Sequence, residues 1–275
     1  MEGYFNNVTT ANQTFQGSGK LITVTNLPNN ITALVHTFRD CTSLTTAPNI
    51  PNGVTNMNYT FKGCTSLTTA PNIPSGVTTM EATFQGCSSL TTAPNIPNGV
   101  TNMSFTFNSC KLLTTAPVIP NGVTNMGFAF QGCSALTTVP SIPNSVTNMY
   151  YTFNGCTSLT TAPEIPDSVT TMEATFRDCS ALTKCTIPLT NTTNYTNCLS
   201  GCSALTNITW TGERTTDFSL TTLKAPSYTQ ADIQELVPEH LATVESATLT
   251  LGETYLAYLT EDEIASAVAK GWTLQ

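Results

Sequence analysis

Ten cysteines are the residues best equipped for chemistry in this sequence of 275 residues. Eight of them, Cys41, Cys64, Cys87, Cys110, Cys133, Cys156, Cys179 and Cys202, recur at a constant spacing of 23. Thiols can ligate metal, attack as nucleophiles or pair as disulfides. A structural zinc site uses close Cys pairs or Cys with His, and that spacing does not occur; Cys198 and Cys202 lie four apart. If the column stacks on successive coils, neighbouring thiols approach the ~4.4–6.8 Å Cα separation of a disulfide. A bridge between adjacent rungs would close a loop that stacking already closes. The column is therefore expected to hold reduced, buried thiols packing as small apolar groups, with Cys185 in the core beside them. The two histidines, His36 and His240, have no nucleophile or carboxylate motif nearby of the kind a catalytic base needs. A glycine-rich phosphate loop and a Gly-x-Ser-x-Gly elbow are also missing. The expectation is no catalytic residue, no metal site and no cofactor.

The spacing that places the cysteines governs the rest of the chain. Phe15, Phe38, Phe61, Phe84, Phe107, Phe130, Phe153 and Phe176 share the 23-residue period, and Leu199 continues the column. Leu21 to Leu205 forms a second column, Met57 to Met172 a third and Val54 to Val169 a fourth. A fixed period in the range of about 20–29 residues with leucine columns marks a leucine-rich solenoid. One coil cannot bury its own apolar side, so coils stack into a continuous core. The Leu-Thr-Thr-Ala-Pro-x-Ile stretch is the expected strand, with Leu, Ala and Ile inward and the threonines outward. Met and Phe at i and i+4 fit one face of a short helical turn. Pro-Asn-Gly and Pro-Ser-Gly mark the corners.

Composition excludes several classes. Charged residues make up 9% of the chain and the net charge is −8, with 9 Lys+Arg in all. Nucleic-acid binding needs clustered basic residues and is not expected. The apolar runs fall far short of the ~20 residues of a membrane span, so no membrane insertion is expected. Met1–Asn7 lacks the basic start and apolar stretch of a signal peptide. Threonine occurs 55 times, which favours β structure.

The run Val-Thr-Asn-Met-x-x-Thr-Phe-x-Gly-Cys-x-Ser-Leu-Thr, followed by Ile-Pro-x-x-Val, resembles the BspA-like leucine-rich repeats of bacterial surface proteins, over roughly residues 4–210. The resemblance implies a leucine-rich-repeat solenoid of short parallel strands plus helical turns, in about nine 23-residue coils. It implies recognition at a surface, with adhesion typical and similar repeats in phage virion proteins. The family pattern runs Leu-x-x-Ile-x-Ile-Pro, as in Leu182-Thr183-Lys184-Cys185-Thr186-Ile187-Pro188. Most units here carry one residue more and an added proline, as in Leu44-Thr45-Thr46-Ala47-Pro48-Asn49-Ile50-Pro51. Proline removes a ladder donor, so short, bulged strands are expected.

The composition shifts near residue 225. Residues 226–275 hold eight acids and one base, 1 − 8 = −7, against a net −1 before them. This separates a solenoid, 1–224, from a small acidic α/β C-terminal cap, 225–275. In the cap, Ala231–Leu236 reads as a helix and Ala247–Leu251 as a strand. Thr260 with Glu263 forms a capping box, and Trp272–Leu274 reads as a last strand. Ile264, Ala267 and Val268 should share a buried face, with the acids outward.

Two surfaces are candidates for binding. Tyr59, Phe105, Phe128 and Tyr151 fall in one column, pointing partly outward to meet glycan or protein, or packing against the next coil. Thr46, Thr69, Thr92 and Thr115 line a hydroxyl-rich strand face. At the start, Tyr4, Phe5 and Val8 enter part-way through a coil and form a candidate docking end, with an oligomer as one outcome. The resulting expectation is a non-enzymatic recognition or structural protein at a virion or cell surface. A phage tail, fibre or decoration part that meets the host, or another virion protein through its N-terminal end, is preferred. A bacterial adhesin binding host protein or glycan, and an accessory binding domain of a larger enzyme, are the alternatives.

Overall fold

A computed structural model describes residues 8–223, 225 and 228–275, the side chains of 221 and 222 excepted. Each 23-residue unit makes one coil, and equivalent residues sit in register on the next. Two ladders of single parallel bridges run along the stack. One links Thr23, Thr46, Thr69 and Thr92; the other includes Asn102, Asn125, Asn148, Thr171 and Asn194. The Thr-Thr-Ala-Pro stretch thus pairs through isolated bridges rather than a continuous strand. Where the extra proline is absent, regular strands form at once. Strand β1 (Lys184–Pro188) pairs in parallel with β2 (Asn207–Thr211), Cys185 opposite Ile208. A missing N–H interrupts the ladder in the other coils.

The Met-to-Phe segment is not the helical turn expected from its spacing. Thr60, Lys62 and Cys64 donate their N–H groups three residues back, to Met57, Tyr59 and Phe61. The alternate groups of Met57, Tyr59, Phe61 and Gly63 cross to the carbonyl oxygens of Thr79, Glu81, Thr83 and Gln85, at 2.7–2.9 Å. A helix would spend every donor on itself and leave nothing to join the coils. The sideways bonds require backbone reversals at Tyr59 (φ 59°) and Gly63 (φ 75°). Glycine adopts this conformation freely, whereas for Tyr59 it is costly. The reversal recurs at Phe105, Phe128 and Tyr151, where the stacked coils hold it.

Side chains fill the interior column by column. Phe38, Phe61, Phe84, Phe107, Phe130, Phe153 and Phe176 are fully buried, and their rings stack at 5.4–5.7 Å, nearly parallel. Threonine is divided between surface and core. Thr60, Thr83, Thr106, Thr152 and Thr175 are buried. The Thr60 hydroxyl is shared between the carbonyls of Met57 (2.7 Å) and Leu34 (2.9 Å). The residue type suggests an outward face for threonine, whereas these hydroxyls give carbonyls that already accept one N–H a second donor and tie each turn to the preceding coil.

Beyond the coils a second parallel sheet forms, in the order β3 (Phe218–Ser219), β4 (Ala247–Thr250), β5 (Trp272–Leu274). Helices α1 (Leu220–Leu223) and α2 (Gln230–His240) cross from β3 to β4. Helices α3 (Glu253–Leu256) and α4 (Glu261–Ala269) cross from β4 to β5. Thr260 and Glu263 form the capping box read from the sequence, and Thr229 with Asp232 forms a second. Helix α2 runs past Leu236 and contains Pro238 near its end.

Two details differ from expectation. Asp232 is buried, not on the outer face: its Oδ1 accepts the Ile208 N–H at 3.2 Å, and its carbonyl accepts Trp210 Nε1 at 2.8 Å. These bonds pin α2 to β2, a role that net charge does not reveal. Val268 is 58% exposed, while Ala267 is fully buried. The contact of α4 is narrower than its apolar stripe, because α4 packs on α2 and β5 along one edge.

Candidate binding surface

The aromatic column sits two residues before each core phenylalanine, at the reversed backbone position. Its rings are half-buried and stack along the solenoid axis. His36 and Tyr59 lie 4.6 Å apart, Phe105 and Phe128 4.4 Å, and Phe128 and Tyr151 5.2 Å. Tyr150 meets Phe128 edge-on at 5.0 Å. The ring faces therefore pack against the next coil, while each ring stays partly open to solvent. Ala82 and Ala174 interrupt the row and are buried. Tyr59 leans toward Glu81, donating its hydroxyl at 2.5 Å. This bond, then burial, raises the Tyr59 phenol above its ordinary value.

Three residues further on runs a row that sequence reasoning passes over. Gln85 Nε2 donates to Asn108 Oδ1 at 3.3 Å, Asn108 Nδ2 to Gln131 Oε1 at 2.8 Å, and Gln131 Nε2 to Asn154 Oδ1 at 3.0 Å. The row is anchored by Asn154 Nδ2 on the Arg177 carbonyl at 3.0 Å. Lys62, in the same column, lies over the Tyr59 ring at 5.6 Å, which places the two rows side by side. The signal is present in the sequence, since the residue after each core Phe is polar from Gln16 to Arg177. Such side chains can link coil to coil only once the units stack in register.

The second candidate face is where the sequence puts it, though its hydroxyls are unequal. Thr46, Thr69, Thr92 and Thr115 are exposed on the strand ladder. The threonine before two of them is partly spent: Thr45 donates to the Ile22 carbonyl and Thr91 to that of Thr68. This face and the aromatic row occupy different stretches of every coil and do not meet in one site. At the first coil, Val8 is 38% exposed, while Tyr4 and Phe5 lie outside the described residues.

All ten cysteines are free and buried. Each column thiol donates to a phenylalanine carbonyl of the preceding coil, as Cys64 does to Phe38 at 3.0 Å and Cys110 to Phe84 at 3.2 Å. Burial pushes the thiols up, Cys133 and Cys202 to about 12 and Cys110 and Cys156 well above their ordinary value. A thiol reacts as thiolate, so these are inert. An aromatic disulfide reagent should titrate none of the deeply buried thiols in the native protein and all ten after unfolding. Rapid labelling of Cys110 or Cys156 in the native state would contradict this packing.

His36 stacks on Tyr59, and burial, with Arg39 and Lys62 nearby, lowers its pKa. Its Nδ1 has no partner among the described residues. His240 Nδ1 meets the Gly212 carbonyl at 2.7 Å. Among the described residues no group of three or more His, Cys, Asp or Glu could hold a metal ion. Nor is any helix among them long and apolar enough to cross a membrane.

Stacked 23-residue coils with interior Leu, Phe and Cys columns define a leucine-rich-repeat solenoid. Residues 8–127 and 103–219 match, in six copies, the family model for the BspA type leucine rich repeat region. The chain belongs to that family. In fold it is similar to a leucine rich cell surface protein from Faecalibacterium prausnitzii A2-165, at 22% identity and a TM-score of 0.49, covering 74% of this chain and 69% of that one. It is also similar to a leucine rich repeat protein from T. pallidum, at 23% identity and TM-score 0.48 over 68% and 76% of the two chains. A leucine-rich repeat protein from Bacteroides ovatus ATCC 8483 shares 17% identity at TM-score 0.47, over 91% of each. No curated protein matches the sequence.

Proposed function

We propose that this chain is a non-catalytic recognition protein displayed on an outer surface, binding an extended ligand along its aromatic and amide rows. The observation that carries the reading is their adjacency over successive coils. Phe105, Phe128 and Tyr151 share one turn each with Asn108, Gln131 and Asn154, whose N–H groups donate to their carbonyls, so the stacked rings and the amide chain run side by side. A surface that repeats the same groups at every coil suits a ligand that repeats as well, and a glycan chain offers apolar ring faces and hydroxyls together. In this reading residues 1–224 carry recognition and 225–275 close the array. The finer placement is a phage virion part that mediates attachment or assembly, with a bacterial adhesin binding host protein or glycan as the alternative.

Binding of the intact protein to immobilised bacterial envelope polysaccharides and to mucin glycans tests both levels. Phe128→Ala with Tyr150→Ala is expected to weaken the productive interaction roughly tenfold or more, with the thermal transition retained. Preference for envelope polysaccharide supports the virion placement, and preference for mucin the adhesin. Equal binding by the double variant would remove the rows as the site.

A further inference from the structure

We propose that the cleft between the last repeat coil and the β3–β4–β5 sheet binds a neutral saccharide of one or two rings. This site is separate from the aromatic and amide rows. It arises because the coil-to-coil ladder stops there. The series of bridges reaches Thr171–Asn194, and among the described residues no bridge continues it from Asn194. The next unit is offset, with Leu199 N–H reaching Leu223, 24 residues on rather than 22. The surface opens at this break into a cleft of about 400 Å³, walled by Thr193–Thr196 on one side and by Ser219, Thr248, Thr250 and Gln275 on the other. That volume lies in the range of small-molecule sites.

The lining chemistry selects the ligand class. Tyr195 and Phe218, edge to face at 5.3 Å, are buried beneath the Arg214 guanidinium, which lies over both rings. Arg214 also lines the cleft, yet its guanidinium already donates four hydrogen bonds to backbone carbonyls. Little of it is left for an anion. Asp217 stands at the wall, one carboxylate oxygen accepting the Thr248 N–H at 2.8 Å and the other without a partner among the described residues. A carboxylate repels a phosphate or carboxylate ligand and accepts from hydroxyls. The hydroxyls of Thr196, Thr248 and Thr250 have no hydrogen bond within the described residues either. Spare hydroxyls and one spare carboxylate oxygen, beside a guanidinium whose donors are taken by backbone carbonyls, match a neutral polyhydroxy ring.

The test uses the full chain and a panel of methyl glycosides of glucose, galactose, mannose and N-acetylglucosamine, followed by saturation-transfer and amide-shift NMR, with inorganic phosphate as anionic control. At least one glycoside should bind with a Kd below about 10 mM and shift amides of Thr196, Ser219 and Thr250. Thr248→Val with Thr250→Val keeps shape and removes two hydroxyls; it should weaken binding roughly tenfold. Thr250→Trp, which fills the cleft, should abolish the shifts of Thr196 and Ser219. Binding of no glycoside, survival of these shifts in Thr250→Trp, or tighter binding of phosphate would each overturn the proposal. Shifts confined to amides of the row from Phe105 to Tyr151 would overturn it too, and would assign the saccharide to that row and leave that reading standing.

Discussion

Raising the pH by one unit above the ordinary thiol value should unfold the repeat array. Nine buried thiols, Cys64, Cys87, Cys110, Cys133, Cys156, Cys179, Cys185, Cys198 and Cys202, are pushed above their ordinary value of 9.0, burial being the first cause in each. The unfolded chain releases these protons from about pH 9, while the folded chain holds them. Stability is therefore complete below that pH and falls as pH rises toward the folded values. Each thiol contributes about 1.4 kcal/mol of loss per pH unit in this window. Nine together reach on the order of 12 kcal/mol one unit up, comparable with the whole stability of a typical domain, ~5–15 kcal/mol. Buried tyrosines Tyr195 and Tyr228 are shifted the same way and add to the loss only above their ordinary value of 10.0. Circular dichroism melts across this range should show a steep decline. Cys110→Ala with Cys133→Ala should flatten the slope by about 2.7 kcal/mol per pH unit. A melting temperature that stays level to about pH 10.5 would refute the account.

Replacing Arg214 should have the largest effect of any single substitution at the C-terminal end. Its side chain is buried and takes the place of the absent ladder. Nη1 donates to the carbonyls of Leu189 (3.2 Å) and Thr192 (2.7 Å), Nε to Thr216 (3.0 Å) and Nη2 to Asp217 (2.8 Å). The guanidinium also lies over Phe218 at 5.5 Å and Tyr195 at 5.9 Å. Arg214→Met keeps the length and removes all four donors, leaving carbonyls without partners at a cost of about 3–5 kcal/mol. Arg214→Lys should recover little, because a compact ammonium cannot span four acceptors. A solenoid is held together by neighbour contacts, so the loss should be local. Hydrogen exchange should accelerate from Leu189 to Ser219 while the amides of Phe61 to Phe130 keep their protection. A change below about 1 kcal/mol in a urea melt would show that the carbonyls are satisfied otherwise.

Much of the molecule is legible in the amino-acid sequence alone, and for one reason. When every coil follows the same path, a residue's neighbours are its own column, so a spacing of 23 names the contacts directly. That logic places Phe107 between Phe84 and Phe130, buries the Cys column, and predicts broken strands wherever Ala-Pro replaces the pattern of Cys185-Thr186-Ile187. The capping box of Thr260 and Glu263 is readable for a second reason, since it is closed within four residues.

Three things were decided only by the tertiary structure. The backbone reversal at Tyr59 is imposed by the need to send alternate N–H groups sideways to the next coil, and no side-chain spacing distinguishes that from a helical turn. The burial of Thr60, and the exposure of Thr46 in the same coil, depend on the path of that turn, which brings the Thr60 hydroxyl to the Met57 carbonyl and to the Leu34 carbonyl of the preceding coil. At the junction, Asp232 and Arg214 tie unlike units together and open the cleft beside Thr250. Periodicity by itself determined the stack, because identical units must meet identically. It could not determine the junction, because contacts between unlike units follow no period and are set only when the two surfaces pack.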